Sequence, residues 1–161
     1  MIRPATPQDG PALRAIDHHG WSYLHSPVPR PPLEKPFETD LVLVDEREGE
    51  IAGYIKRGDI RPLDSVTHVR EIKALAVSSD FQRQGVGRAL LEGVIEEARA
   101  DGMRKVTLRV LGHNAPAQAL YKALGFVVEG TQRGLFLLDG TYVDDVLMAL
   151  NLTAGGSSAS T

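Results

Sequence analysis

Leu75-Ala-Val-Ser-Ser-Asp-Phe-Gln-Arg-Gln-Gly-Val-Gly-Arg-Ala-Leu-Leu91 is the stretch on which the reading of this chain turns. It begins as the end of a strand, passes through a polar turn and two glycines, and becomes an amphipathic helix. Leu90, Leu91, Val94, Ile95 and Ala98 recur at helical spacing, while Arg88, Glu92, Glu96, Glu97 and Arg99 fall on the opposite face. Asp101-Gly102 is a stop signal. Glycines at a helix start let backbone approach a ligand closely, and the unpaired amides and helix dipole there favour an anion such as phosphate. Arg83 and Arg88 add charge. The same glycines also suit a tight turn that holds nothing.

Two familiar nucleotide signatures are absent. No Gly-x-x-x-x-Gly-Lys-Ser/Thr string occurs in the chain. A dinucleotide fingerprint needs a third glycine where Leu90 stands, in the first strand–helix unit of a parallel sheet. Here a run of strands comes first.

Working outward, Thr39–Glu46, Ile51–Arg57 and Thr67–Val77 read as three strands in a meander, with a turn at Gly49 and another around Pro62. Before them, Thr6-Pro7 reads as a helix cap and first helical position, and Gly20 as the end of that helix. Ser26–Pro36 holds five of the ten prolines, so it is a loop, serving either as a spacer or as a cleft wall. After the central helix, Lys105–Leu111 is a β-branched strand. Strand, helix and strand of this length predict a right-handed crossover with two parallel strands. Asn114 caps a helix over Ala115–Leu124, ended by Gly125. Phe126–Leu138 and Thr141–Leu150 form a hairpin on Asp139-Gly140. The chain therefore reads as one domain over residues 1–152, with a flexible tail over 153–161.

Composition bounds the chemistry. The chain has 161 residues, 42% hydrophobic and 24% charged, the profile of a globular domain. It has no cysteine, which removes disulfides, thiolate metal sites and a cysteine nucleophile. The formal charge of -3 gives no footprint for nucleic acid or an anionic membrane. No run approaches a membrane span or a signal core, so a cytoplasmic protein is expected. His18, His19 and His25 lack metal-ligand spacing, and no metal is expected.

Gln82-x-x-Gly85-x-Gly87 after Leu75-Ala-Val77 resembles the acyl-CoA motif of the GNAT N-acetyltransferase superfamily. Asn114-x-x-Ala117-x-x-Leu120-Tyr121-x-x-Leu124-Gly125-Phe126 is similar to that family's second helix. Glu129-Gly130, Asp139-Gly140-x-Tyr142-Val143-Asp144 and Met148 resemble a bacterial branch acting on small amines and amino acids. The resemblance covers roughly Glu71–Leu150. It implies an α/β fold with a mixed, mostly antiparallel sheet, helices on both faces, and a central parallel β–α–β unit splayed to hold acyl-CoA. It implies acetyl transfer from acetyl-CoA to a small-molecule primary amine, by direct attack in a ternary complex. Alternatives are a protein or peptide N-terminal acetyltransferase and a non-catalytic acyl-CoA-binding module.

The resemblance also implies roles. Pantetheine pairs with backbone at Leu75, Ala76 and Val77. The pyrophosphate rests on Arg83, Gln84, Gly85, Val86, Gly87 and Arg88. Asn114 hydrogen-bonds a pantetheine amide, or is only a cap. Glu71 is the candidate base, directly or through water, or else a surface glutamate paired with Lys73 or Arg70. Tyr121 is the candidate acid, or else a core aromatic. Read from the residues alone, Trp21 and Tyr23 line the acceptor cleft or pack under the proline loop, His113 is a loop histidine or contacts pantetheine or substrate, and Asp144 and Asp145 attract a cationic acceptor or are hairpin surface charge. A homodimer through the C-terminal strands is compatible with the sequence.

Overall fold

The computed structural model describes residues Met1–Leu152, so the tail expected at 153–161 lies outside the described residues. The elements follow in the order β1 (Ile2–Pro4), α1 (Gly10–Gly20), β2 (Val42–Arg47), β3 (Glu50–Asp59), β4 (Val69–Val77), α2 (Val86–Ala100), β5 (Lys105–Leu111), α3 (Ala115–Ala123), β6 (Val127–Leu138) and β7 (Thr141–Asn151). The strands are ordered β1-β2-β3-β4-β5-β7-β6 in a seven-stranded sheet. The pairs β1–β2, β2–β3, β5–β7 and β6–β7 are antiparallel, and β4 runs parallel to β5. The mixed, mostly antiparallel sheet with a parallel crossover is the architecture the sequence predicts.

The chain divides into two compact units. The first comprises Met1–Ser22, Val28–Arg57 and Lys73–Val94. Its core joins Leu13 of α1 to Val42 and Val44 of β2 and Tyr54 of β3, with Phe37 and Ala76 packed against them. The helix start is fixed by a reciprocal cap: Thr6 and Asp9 bond each other's backbone ahead of α1. The proline segment is anchored here. Arg14 donates to the Lys35 and Pro36 carbonyls at 2.8 and 2.9 Å, and His18 Nδ1 lies 2.9 Å from the Pro31 carbonyl. β2 and β3 turn at Glu48-Gly49, both at positive φ (53° and 80°), the pair of left-handed residues a two-residue hairpin loop needs.

The second unit comprises Tyr23–Pro27, Gly58–Ile72 and the described chain from Ile95 on. Val69–Ile72 of β4 align with Lys105–Leu108 of β5, and β5 aligns in turn with β7 from Lys105↔Asn151 to Leu111↔Asp145. Asp139 and Gly140, at φ 49° and 79°, make the predicted tight hairpin between β6 and β7. The C-terminus of α2 closes with Gly102 at φ 76°, its amide on the Arg99 carbonyl and that of Met103 on Ala98.

Two strand starts differ from the sequence reading. β2 opens at Val42 rather than Thr39, because Leu41 takes a left-handed φ of 64° that no ladder accommodates. β4 opens at Val69 rather than Thr67, because Asp64–Val66 form a short 3₁₀ turn and Thr67 donates its amide back to Asp64.

One glycine sets the spacing of the first unit. A Cβ on Gly53 of β3 would stand 2.7 Å from the Ala76 carbonyl oxygen and 2.9 Å from Val86 Cγ1. The first contact is backbone and cannot swing away. Gly53→Ala is expected to cost about 1–3 kcal/mol, as other overpacked cores do; an unchanged urea midpoint would show that β4 and α2 yield there.

Candidate active site

In the first unit, β4 runs into a turn that is tied at several points. The Ser78 amide donates to the Ala52 carbonyl at 2.8 Å, keeping the strand end on β3. Gln82 Nε2 donates to the Val77 carbonyl at 3.2 Å, so the motif glutamine holds the turn against the strand. Arg83 (φ 62°) and Gly85 (φ 76°) then reverse the chain into α2. Nothing lies within 4 Å of where a Gly85 Cβ would project, so the space above this turn is open. The first helical bond runs from the Ala89 amide to the Gly85 carbonyl at 3.0 Å. The amides of Val86, Gly87 and Arg88 therefore have no acceptor within the helix.

Arg83 is exposed beside this turn. Arg88 is exposed as well, but its Nε donates to Glu92 at 2.7 Å one helical turn on, which offsets its charge. Arg47 of β2, missed by the sequence reading, donates from Nη1 to the Gln84 carbonyl at 2.8 Å. Its Nε and Nη2 are held by Asp45 at 2.9 Å, which offsets its charge, while the third nitrogen ties up a carbonyl whose dipole would repel an anion. No local signal marks it, because it lies 37 residues away in sequence. An open turn, free first-turn amides and this donor set fit the diphosphate of a nucleotide-like cofactor.

The second unit holds the remaining candidates. Glu71 on β4 is half-buried and aligned with Thr107 on β5. Arg70, one of the two ion-pair partners the sequence offers for Glu71 beside Lys73, bonds Glu97 of α2 and Asp101 just after it, each at 2.9 Å. Strand alternation puts Arg70 on the opposite face from Glu71.

Asn114 is buried, and its Oδ1 accepts the Ala117 amide at 3.3 Å, confirming it as the cap of α3. The cap uses only the oxygen, so Nδ2 remains a donor. Tyr121 follows seven residues later, two turns along the same face. It is buried against Phe126, with ring centroids 6.0 Å apart, and burial pushes its hydroxyl up to about 12. Such a phenol is a weak proton donor, but it stays protonated across the physiological range and can always offer a hydrogen bond.

A cavity of about 480 Å³ opens in the second unit between the β5–α3 connection and the tip of the β6–β7 hairpin. Tyr23, His113, Asp139, Thr141, Tyr142 and Asp144 line it. Gly112 permits the hairpin's approach: a Cβ there would meet Asp144 Cβ at 2.8 Å. Asp144 is oriented by the Gly134 amide, which donates to its Oδ1 at 2.8 Å. The lesser candidates separate here. Asp145 is buried and held by Arg109 at 2.6 Å, so its charge is neutralised, whereas Asp144 borders the cavity. Trp21, in the first unit, donates to the Val28 carbonyl at 2.8 Å and carries Arg30 over its ring, so it holds down the proline segment while Tyr23 lines the cavity.

The model of the acetyltransferase (GNAT) family matches residues 11–126. The chain belongs to the GNAT family. Among curated relatives, the L-amino acid N-acyltransferase of Escherichia coli K12 is 34% identical over 111 residues, which is 69% of this chain and 64% of the relative. The ribosomal protein bS18-alanine N-acetyltransferase of the same strain is 40% identical over 79 residues, 49% of this chain and 53% of the relative. The chain thus matches less than two thirds of the length of these relatives. Among solved structures, a ribosomal-protein-alanine N-acetyltransferase from Brucella melitensis superposes with a TM-score of 0.81 at 31% identity, covering 94% of this chain and 99% of that one. An acetyltransferase from Salmonella typhimurium, solved with its cofactor acetyl-CoA, superposes with a TM-score of 0.81 at 25% identity, covering 100% and 98%.

Tyr121→Phe removes the hydroxyl and keeps the packing. Turnover is expected to fall roughly 100-fold, the lower end of what general acid catalysis contributes, with acetyl-CoA affinity and melting temperature close to wild type. Because the hydroxyl is raised to about 12, no alkaline loss of rate from this residue is expected below about pH 11. Unchanged turnover in the phenylalanine variant would remove Tyr121 from the chemistry.

Proposed function

We propose that this protein transfers an acetyl group from acetyl-CoA to the primary amine of a small molecule. The observation that carries the reading is the turn at Arg83–Gly85: two left-handed residues lead into a helix whose first amides have no acceptor within the helix, with open space beside Gly85. The co-substrate supplies an activated thioester. Backbone of Leu75, Ala76 and Val77 would receive its pantetheine arm as an added strand. Residues 83–88, with Arg47, would hold its pyrophosphate, and Asn114 Nδ2 would donate to a pantetheine carbonyl.

The chain's own groups meet the three needs of amine acylation. Glu71 takes the proton of the attacking ammonium, which at a solution pKa near 10.4 is otherwise almost wholly protonated at neutral pH. The Val77 amide polarises the thioester carbonyl. Tyr121 donates a hydrogen bond to the departing sulfur. No enzyme-bound acyl group is required, and the chain has no cysteine to carry one.

The cavity supports a small cationic acceptor. Its side chains include two carboxylates and two phenols but no lysine or arginine, so it favours an ammonium and offers no counter-charge to a substrate carboxylate. A second reading is acetylation of a peptide N-terminus, favoured by the bS18-alanine acetyltransferases among the relatives. Glu71 and Tyr121 argue against a binding module without catalysis, since such a module has no use for either.

Acetyl-CoA at one hundred times its Kd is expected to stabilise the protein by about 2.7 kcal/mol, visible as a rise in melting temperature. No shift at millimolar acetyl-CoA would overturn the cofactor assignment. A panel of diamines, aryl-alkylamines, free amino acids and alanine-starting peptides, read by free-CoA release, then separates the acceptors. Turnover fastest on the peptides would favour the second reading.

A further inference from the structure

Thr107 sits on β5 as the ladder partner of Glu71 on β4 and of Ala149 on β7. Ladder partners on neighbouring strands project from the same face, about 4.8 Å apart. Thr107 is 5% exposed, and its Oγ1 is buried with no hydrogen-bond partner among the described residues. Buried hydroxyls in folded proteins are nearly always satisfied, so one that is not calls for a reason.

The neighbourhood narrows that reason. On the β7 side stands only the methyl of Ala149. Along β5, the residues two positions either way are Lys105 and Arg109, and both are taken: Lys105 Nζ lies 2.7 Å from Glu129 and Arg109 Nη1 lies 2.6 Å from Asp145. Both are donors in any case, and a hydroxyl seeking to donate gains nothing from them. Of its two ladder partners, the one whose side chain carries an acceptor is Glu71. Valine would fill the same volume with the same strand preference and leave no polar atom buried, so packing alone gives threonine no advantage here.

We infer that Thr107 is a positioning residue for Glu71: its hydroxyl donates to one carboxylate oxygen when the acceptor amine is bound, turning the other oxygen toward the amine. The amine proton passes to that second oxygen, and Thr107 keeps its own proton throughout. The inference rests on the reading of Glu71 as the base. It explains why a strand position suited to valine carries a hydroxyl.

The test compares Thr107→Val, Thr107→Ser and Glu71→Gln in the full chain, using acetyl-CoA and the best amine of the panel. Thr107→Val is expected to lower kcat roughly tenfold, a fraction of what a general base contributes. Its KM for acetyl-CoA should stay within about twofold of wild type, and its melting temperature should be equal or higher. Thr107→Ser, which keeps the hydroxyl, should restore most of the rate. A valine variant with full kcat, or a serine variant as slow as the valine one, would overturn the inference. The base reading is tested separately: Glu71→Gln at full kcat sinks that reading and this one with it, whereas a slow Glu71→Gln beside a fast Thr107→Val sinks this one alone.

Discussion

The first unit depends on a place where backbone meets backbone with no side chain between. Gly53 lies so close to the Ala76 carbonyl and to Val86 that any larger residue would push the strand end and the helix start away from β3. Three features follow from that contact. The end of β4 stays on β3 through the Ser78–Ala52 hydrogen bond. The turn after it is short enough for Gln82 to reach back to Val77. α2 then begins with Val86 buried and open space beside Gly85. The contact at Gly53 thus holds the strand end, the turn and the helix start in fixed positions.

Charge is arranged locally rather than globally. The net charge is slightly negative, so no general field draws a polyanionic cofactor to the molecule. Arg83 stands at the turn, while Arg47 is offset by Asp45 and Arg88 by Glu92. In the second unit the sign reverses: the lining of the cavity near the hairpin includes Asp139 and Asp144 and no cation, and His25 is held below the usual imidazole range by burial and by the neighbouring His113.

Much of this was legible from residues. Helix α2 shows in its apolar spacing, the caps in Thr6 and Asn114, and the hairpin in Asp139-Gly140, because each is decided within a few residues. The strand starts at Val42 and Val69 were not, since a left-handed Leu41 and a 3₁₀ turn at Asp64–Val66 have no strong local signal. The same division runs through the site. Gly85, Gly87, Asn114 and Tyr121 announce themselves by spacing, whereas Arg47 and Thr107 matter only through residues distant in the chain.

What the sequence alone carries, then, is the resemblance to the family, in its glycine-turn and second-helix motifs, and the crossover unit, in its caps and apolar period, because each rests on short-range patterns. Tertiary structure decided which charges are available. The sequence offered Asp145 as an attractor of a cationic acceptor and Arg70 as an ion-pair partner of Glu71, and long-range pairing spends them on Arg109 and on Glu97 and Asp101. It also left the Thr107 hydroxyl without a partner among the described residues, in register with Glu71, a juxtaposition visible only once the two strands lie side by side.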